Sequence, residues 1–108
     1  MTNIERQKEM ATKEKDEAVL ILLGKRIVFL RKKKGYSQLT LSFLADVSKT
    51  YLSDVERGSR NPSVSTLSRI AKALEVNLEE LFEGVGEYRF LSESKLIRGE
   101  KNILRNRK

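Results

Sequence analysis

Ser37 and Ser48 each open a short helical pattern, and only about three residues separate the first pattern from the second. A serine hydroxyl just before a helix accepts from a backbone N–H that the first turn leaves unpaired. The spacing predicts one helix running from Ser37 through about Ala45 and another over Lys49 to Arg57, with a tight turn at Asp46 and Val47 and a stop at Gly58. Other punctuation extends the pattern. Leu20, Leu23, Ile27 and Leu30 recur at helical spacing from Ala18 to Lys34, where Gly35 ends the run and Lys32, Lys33 and Lys34 suit the helix dipole. After the Asn61-Pro62 loop, a fourth helix is expected from Ser63 to Leu74, with Leu67, Ile70, Ala71 and Leu74 on one face. Asn77 caps a short fifth helix, with Glu80 at the reciprocal capping position and Val76 placed to staple onto Leu81. No strand pattern precedes residue 84, so the domain is predicted all-α, with connections short enough for a compact bundle.

The two ends differ from this middle. Residues 1–17 are charged throughout, lack an apolar stripe and have no secretory signal, so they are expected to form a frayed or solvent-exposed helix. Residues 84–108 form a basic tail, in which Tyr88 and Phe90 suggest a short strand and Ser92 starts a weak helix. The expected organisation is therefore a charged extension (1–17), a helical domain (18–83) and a tail (84–108). With 108 residues, one small core is all the chain can build. Neither cysteine nor histidine occurs, which excludes disulfides and thiolate sites, removes the usual general base and leaves no metal or cofactor expected. The composition fits a cytoplasmic protein, and the longest apolar run, Ala18 to Leu23, is too short to span a bilayer. The formal charge of +7 is uneven: residues 1–34 carry ten bases and five acids, residues 35–83 five bases and seven acids, and residues 84–108 seven bases and three acids. A nucleic-acid partner must therefore be recognised through arrangement in the middle, not through total charge.

That arrangement is present. On a helical wheel Lys49, Thr50, Ser53 and Arg57 share a polar face, opposite the anchors Leu52 and Val55. Small polar and cationic side chains at a helix N-terminus suit base edges and phosphates in a major groove. The stretches "LGKRIVFLRKKKGYSQ", "LADVSKTYLSDVERGSRNPS" and "TLSRIAKALEVNLEELF" together resemble the phage repressor and Cro-like (xenobiotic-response-element) helix-turn-helix family over about sixty residues, Leu23 to Phe82. The resemblance implies a five-helix lambda-repressor-like DNA-binding domain. It further implies a homodimer that reads a two-fold symmetric double-stranded DNA operator with helix 49–57. It carries DNA-contact roles to Gln38, Ser48, Lys49, Thr50, Tyr51, Ser53, Arg57, Arg60 and Asn61. Asn61-Pro62 is equally ordinary turn chemistry. The resemblance also pairs Arg31 with Glu56 as a partly buried ion pair.

Three departures from that pattern stand out. Asp46 replaces the usual turn glycine, Leu39 and Thr40 replace the glutamates after Ser37-Gln38, and several usually polar positions are apolar. Ala18, Ile21, Leu22, Val28 and Phe29 lie across from the first helix's core face, and Leu39 and Phe43 form an outward pair on the second. Two arrangements would cover such a surface: the tail, through Tyr88, Phe90, Leu91, Leu96 and Ile97, folding back as a lid, or a dimer interface using Val28, Phe29, Leu39 and Phe43. The family adds a dimer patch at Leu78, Leu81 and Phe82. Arg105, Arg107 and Lys108 read as a solvated end or as added phosphate contacts. The functional expectation is a homodimeric (auto)repressor resembling restriction-modification controllers, covering a promoter or contacting RNA polymerase beside it. The alternative is an antitoxin or adaptor that uses the same domain on a protein partner. Asp54 is left with three roles: accepting from a cytosine amino group, orienting Arg57 or repelling misplaced backbone.

Overall fold

Thr2 accepts from the backbone N–H of Glu5 and starts α1, Asn3–Lys33, a helix of 31 residues. At 1.5 Å per residue this is a rod of about 46 Å. The computed structural model describes residues 2–86, which are all-helical. The helix runs unbroken through the expected boundary at residue 17. What begins at Ala18 is packing: the described side chains from Thr2 to Glu17 are all exposed, whereas Ala18, Leu23, Ile27 and Leu30 are buried. Glutamate–lysine spacings such as Glu9–Lys13 suit an exposed helix.

The remaining helices follow the caps: α2 (Gln38–Ala45), α3 (Lys49–Arg57), α4 (Val64–Ala73) and α5 (Leu78–Leu81). Ser37, Ser48 and Ser63 accept from the N–H three residues on at 3.0, 3.0 and 3.1 Å, and Asn77 does so at 2.8 Å. Where glutamate would complete the box at α2, the Thr40 hydroxyl instead accepts from Ser37 Oγ at 3.0 Å. Asp46 takes the left-handed turn conformation, φ 57 and ψ 48, so α2 ends as it would with glycine. Arg69 on α4 donates to the Ala45 carbonyl at 3.1 Å, satisfying the C-terminal end of α2 from across the core.

Ile27, Leu41, Leu52, Val55, Ile70, Leu74 and Leu81 fill the centre, with α1 against α3 and α2 against both α3 and α4. The α1–α3 crossing is close because residue 24 is glycine: a Cβ there would sit 2.4 Å from the Glu56 carbonyl oxygen. Gly58, at φ 78, ends α3 directly against Ile21. This contact half-buries Ile21, expected away from the core, while Leu20, expected on the core face, is only half-buried.

The dimer patch expected near α5 loses one member. Leu81 is fully enclosed at 0% exposure and cannot form a dimer patch. A single-turn helix presents few positions inward, and Leu81 is the one that α5 buries in the core. Leu78 packs half-buried beside it, and Phe82 stays exposed. The core reaches Val85, beyond the expected domain end at residue 83. The strand at Tyr88 and Phe90, the helix from Ser92, the lid residues Tyr88, Phe90, Leu91, Leu96 and Ile97, and Arg105, Arg107 and Lys108 all lie outside the described residues.

Candidate nucleic-acid interface

Three residues, Asp46 to Ser48, join α2 to α3. Ser48 caps α3 through the Tyr51 N–H, which fixes where the helix starts. Lys49 and Thr50 are exposed on its first turn and Ser53 is half-buried one turn on. With Asp54 and Arg57 they line a shallow recess of ≈ 200 Å³. The sequence wheel therefore places this polar face correctly, and Leu52 and Val55 anchor the opposite side in the core.

The orientation of α3 is held from behind. Arg31 Nε donates to Glu56 Oε2 at 2.7 Å and Nη2 to Oε1 at 3.1 Å, a two-pronged pair. Arg31 Nη1 also donates to the Tyr36 carbonyl at 2.9 Å, which ties the α1–α2 loop into the same group. Gln38 Nε2 donates to Glu56 Oε1 at 2.8 Å. Glu56 thus receives donors from α1 and α2 while its side chain is 4% exposed, so it faces the core and not the recess. Gln38 braces α3 in this way; its partner here is Glu56.

A second group flanks the end of α3. Asp54 forms ion pairs with both Arg57 and Arg60, and Arg57 also donates to Ser53 Oγ. The Arg60 guanidinium lies 4.9 Å from the centroid of the half-buried Tyr51 ring. Ser59 donates to the Asp54 carbonyl through its N–H at 3.0 Å and its hydroxyl at 3.1 Å, closing the turn toward exposed Asn61. All nine expected contact residues except Gln38 thus lie along α3, its cap or the turn after it. Sequence reasoning missed the Arg60–Tyr51 cation–π contact and the bridging of two arginines by Asp54. An acid three residues before one arginine and six before another was the available signal.

On the far side, Arg26 donates to the Glu80 carbonyl at 3.1 and 2.9 Å and to Glu83 at 2.8 Å, docking α5 on α1. Lys34 pairs with Glu75 at 2.7 Å; the hydrogen bond raises the lysine pKa and lowers that of the glutamate. Of the expected dimer residues, Phe29, Leu39, Phe43 and Phe82 are exposed, Phe43 by 83%, and Val28 is half-buried. Among the described residues no acidic cluster has metal-site geometry, and no helix is long and apolar enough to cross a membrane.

Two short helices, a three-residue turn and an outward polar face on the second define a helix-turn-helix unit. The family description Helix-turn-helix matches residues 28–81, half of the chain, and the chain belongs to that family. The HTH-type transcriptional regulator SlrR of Bacillus subtilis (strain 168) is 48% identical over 63 residues, which are 57% of this chain and 41% of that protein. The chain therefore spans under half of that relative's length. The crystal structure of the restriction-modification controller protein C.AhdI from Aeromonas hydrophila is 43% identical with a TM-score of 0.58, covering 58% of this chain and 96% of that one. The controller protein C.Esp1396I, solved as a tetramer in complex with its natural 35 base-pair operator, is 33% identical with a TM-score of 0.58, covering 65% of this chain and 92% of that one.

Proposed function

We propose that the chain is a sequence-specific double-stranded DNA-binding transcription regulator, a homodimer that places α3 of each copy in the major groove of a two-fold symmetric operator. The observation that carries this reading is the α3 face. Lys49, Thr50 and Ser53 point outward from a helix whose angle is locked by Arg31, Gln38 and Glu56. Their donors and hydroxyls suit base edges, while Arg57, Arg60 and the capped N-terminus suit phosphate. The role is one of occupancy in the cytoplasm: a bound dimer covers a promoter, or meets RNA polymerase from a neighbouring site. The similar controller C.Esp1396I, solved as a tetramer in complex with its operator, supports operator binding by this chain. Selection of sites from random duplex DNA, followed by footprinting, tests the reading. The expected product is a symmetric site with half-sites about 34 Å apart, one turn of duplex; recovery of no enriched sequence would sink it.

A second reading has its own observation. Leu39, Phe43 and Leu44 leave the outer face of α2 apolar and exposed. An adaptor or antitoxin would use that face on a protein partner. Failure of the purified chain to stay soluble without a co-expressed partner would favour it.

A further inference from the structure

The α3 face carries a charge that DNA reading does not require. Arg57 and Arg60 both donate to the Asp54 carboxylate, Arg60 to Oδ2 at 3.3 Å. The Asp54 side chain is sheltered, at 22% exposure, beside arginine side chains exposed by 61% and 49%. Both arginines have a further anchor, in Ser53 and in the Tyr51 ring respectively. The free protein therefore presents two guanidinium groups and one carboxylate at the groove edge, a formal charge of +1 where the arginines alone would give +2.

We propose that Asp54 is a specificity-determining residue, which weakens sequence-independent phosphate attraction while leaving base reading by Lys49, Thr50 and Ser53 intact. This rests on the DNA-reading assignment above. Non-specific affinity grows with the number of phosphates neutralised, whereas base discrimination comes from hydrogen bonds to groove edges. A carboxylate that already occupies both arginines removes part of the first and none of the second. At a cognate site, backbone phosphates line up with the N–H groups that Arg57 and Arg60 have left over. At any other register those donors are misaligned, and the carboxylate charge offsets the long-range attraction of the two arginines. A carboxylate that only pre-positioned the arginines would act with the opposite sign, since its removal would lower affinity for all DNA.

Asp54→Asn separates the two, because the amide keeps the shape and can still accept from an arginine but carries no charge. Binding of the variant to a mixed-sequence duplex is expected to show a salt slope steeper by about 0.9, the value for one additional phosphate neutralised. That slope corresponds to about 8-fold tighter non-specific binding at 0.1 M salt, converging with wild type near 1 M. The ratio of affinities between the selected site and the mixed duplex is expected to fall. Asp54→Glu, which retains the charge, should follow wild type in slope. An unchanged slope in Asp54→Asn, or weaker binding of that variant to both duplexes, overturns the role of Asp54. Wild-type protein that binds the selected and mixed duplexes equally overturns the DNA-reading assignment instead, a result visible without any variant.

Discussion

Replacing Arg31 with alanine tests the brace behind α3. The change removes two donors from Glu56, at 2.7 and 3.1 Å, and one from the Tyr36 carbonyl at 2.9 Å. Glu56 is then left as a carboxylate of 4% exposure with the Gln38 amide still donating to it. Removing one partner of a buried ion pair costs about 3–5 kcal/mol, because the remaining charge stays away from water. The surviving Gln38 bond is worth about 1 kcal/mol, and this places the expectation near the lower bound, about 3 kcal/mol. For a domain of this size that is a fall in Tm of about 12–24 °C. Adding Glu56→Gln to the variant removes the stranded charge and should restore about 1 kcal/mol or more. Thermal unfolding followed by circular dichroism reads both steps, and DNA binding measured well below the melt should keep its sequence preference. A variant that melts within about 4 °C of wild type would refute the buried-pair argument. Normal melting together with lost binding would put Arg31 on the DNA.

The other expectations concern packing, reading and assembly. Gly24→Ala places a Cβ against the Glu56 and Val55 carbonyl oxygens, at 2.4 and 2.6 Å, so α1 and α3 must separate. The expected loss is about 2–3 kcal/mol by denaturant titration, and an unchanged midpoint would count against the close crossing. Lys49→Ala and Ser53→Ala should each relax base preference in a repeated site selection while stability stays within about 0.5 kcal/mol of wild type. Unaltered selection by both would remove α3 from the reading role. Phe29→Glu combined with Phe43→Glu should turn a dimer into a monomer if these exposed rings pair between copies. A dimer mass by light scattering would argue against their involvement.

Most of the fold was legible because single residues mark its boundaries. Ser37, Ser48, Ser63 and Asn77 each cap a helix, and Asp46 and Gly58 end the two that matter most. The first half of α1 was less legible. Helix without burial leaves no apolar stripe, so residues 3–17 gave no period to read. Leu81 was misplaced because one helical turn cannot reveal which way its apolar residues face. The Arg26 and Arg69 bonds were hidden for another reason: they join residues 54 and 24 apart, and local pattern holds no record of such pairs. The polar face of α3 itself was readable from Lys49, Thr50 and Ser53 at helical spacing. The arginine-bridging role of Asp54 was not, because it depends on where the turn after Gly58 brings Arg60.

Methylation interference on the selected site reads out whether α3 enters the major groove. Guanine N7 lies in the major groove and adenine N3 in the minor groove. With α3 in that groove, N7 methylation is expected to block binding at two clusters about one helical turn apart, while N3 methylation between them is tolerated. Interference from N3 alone, or from neither position, would contradict it.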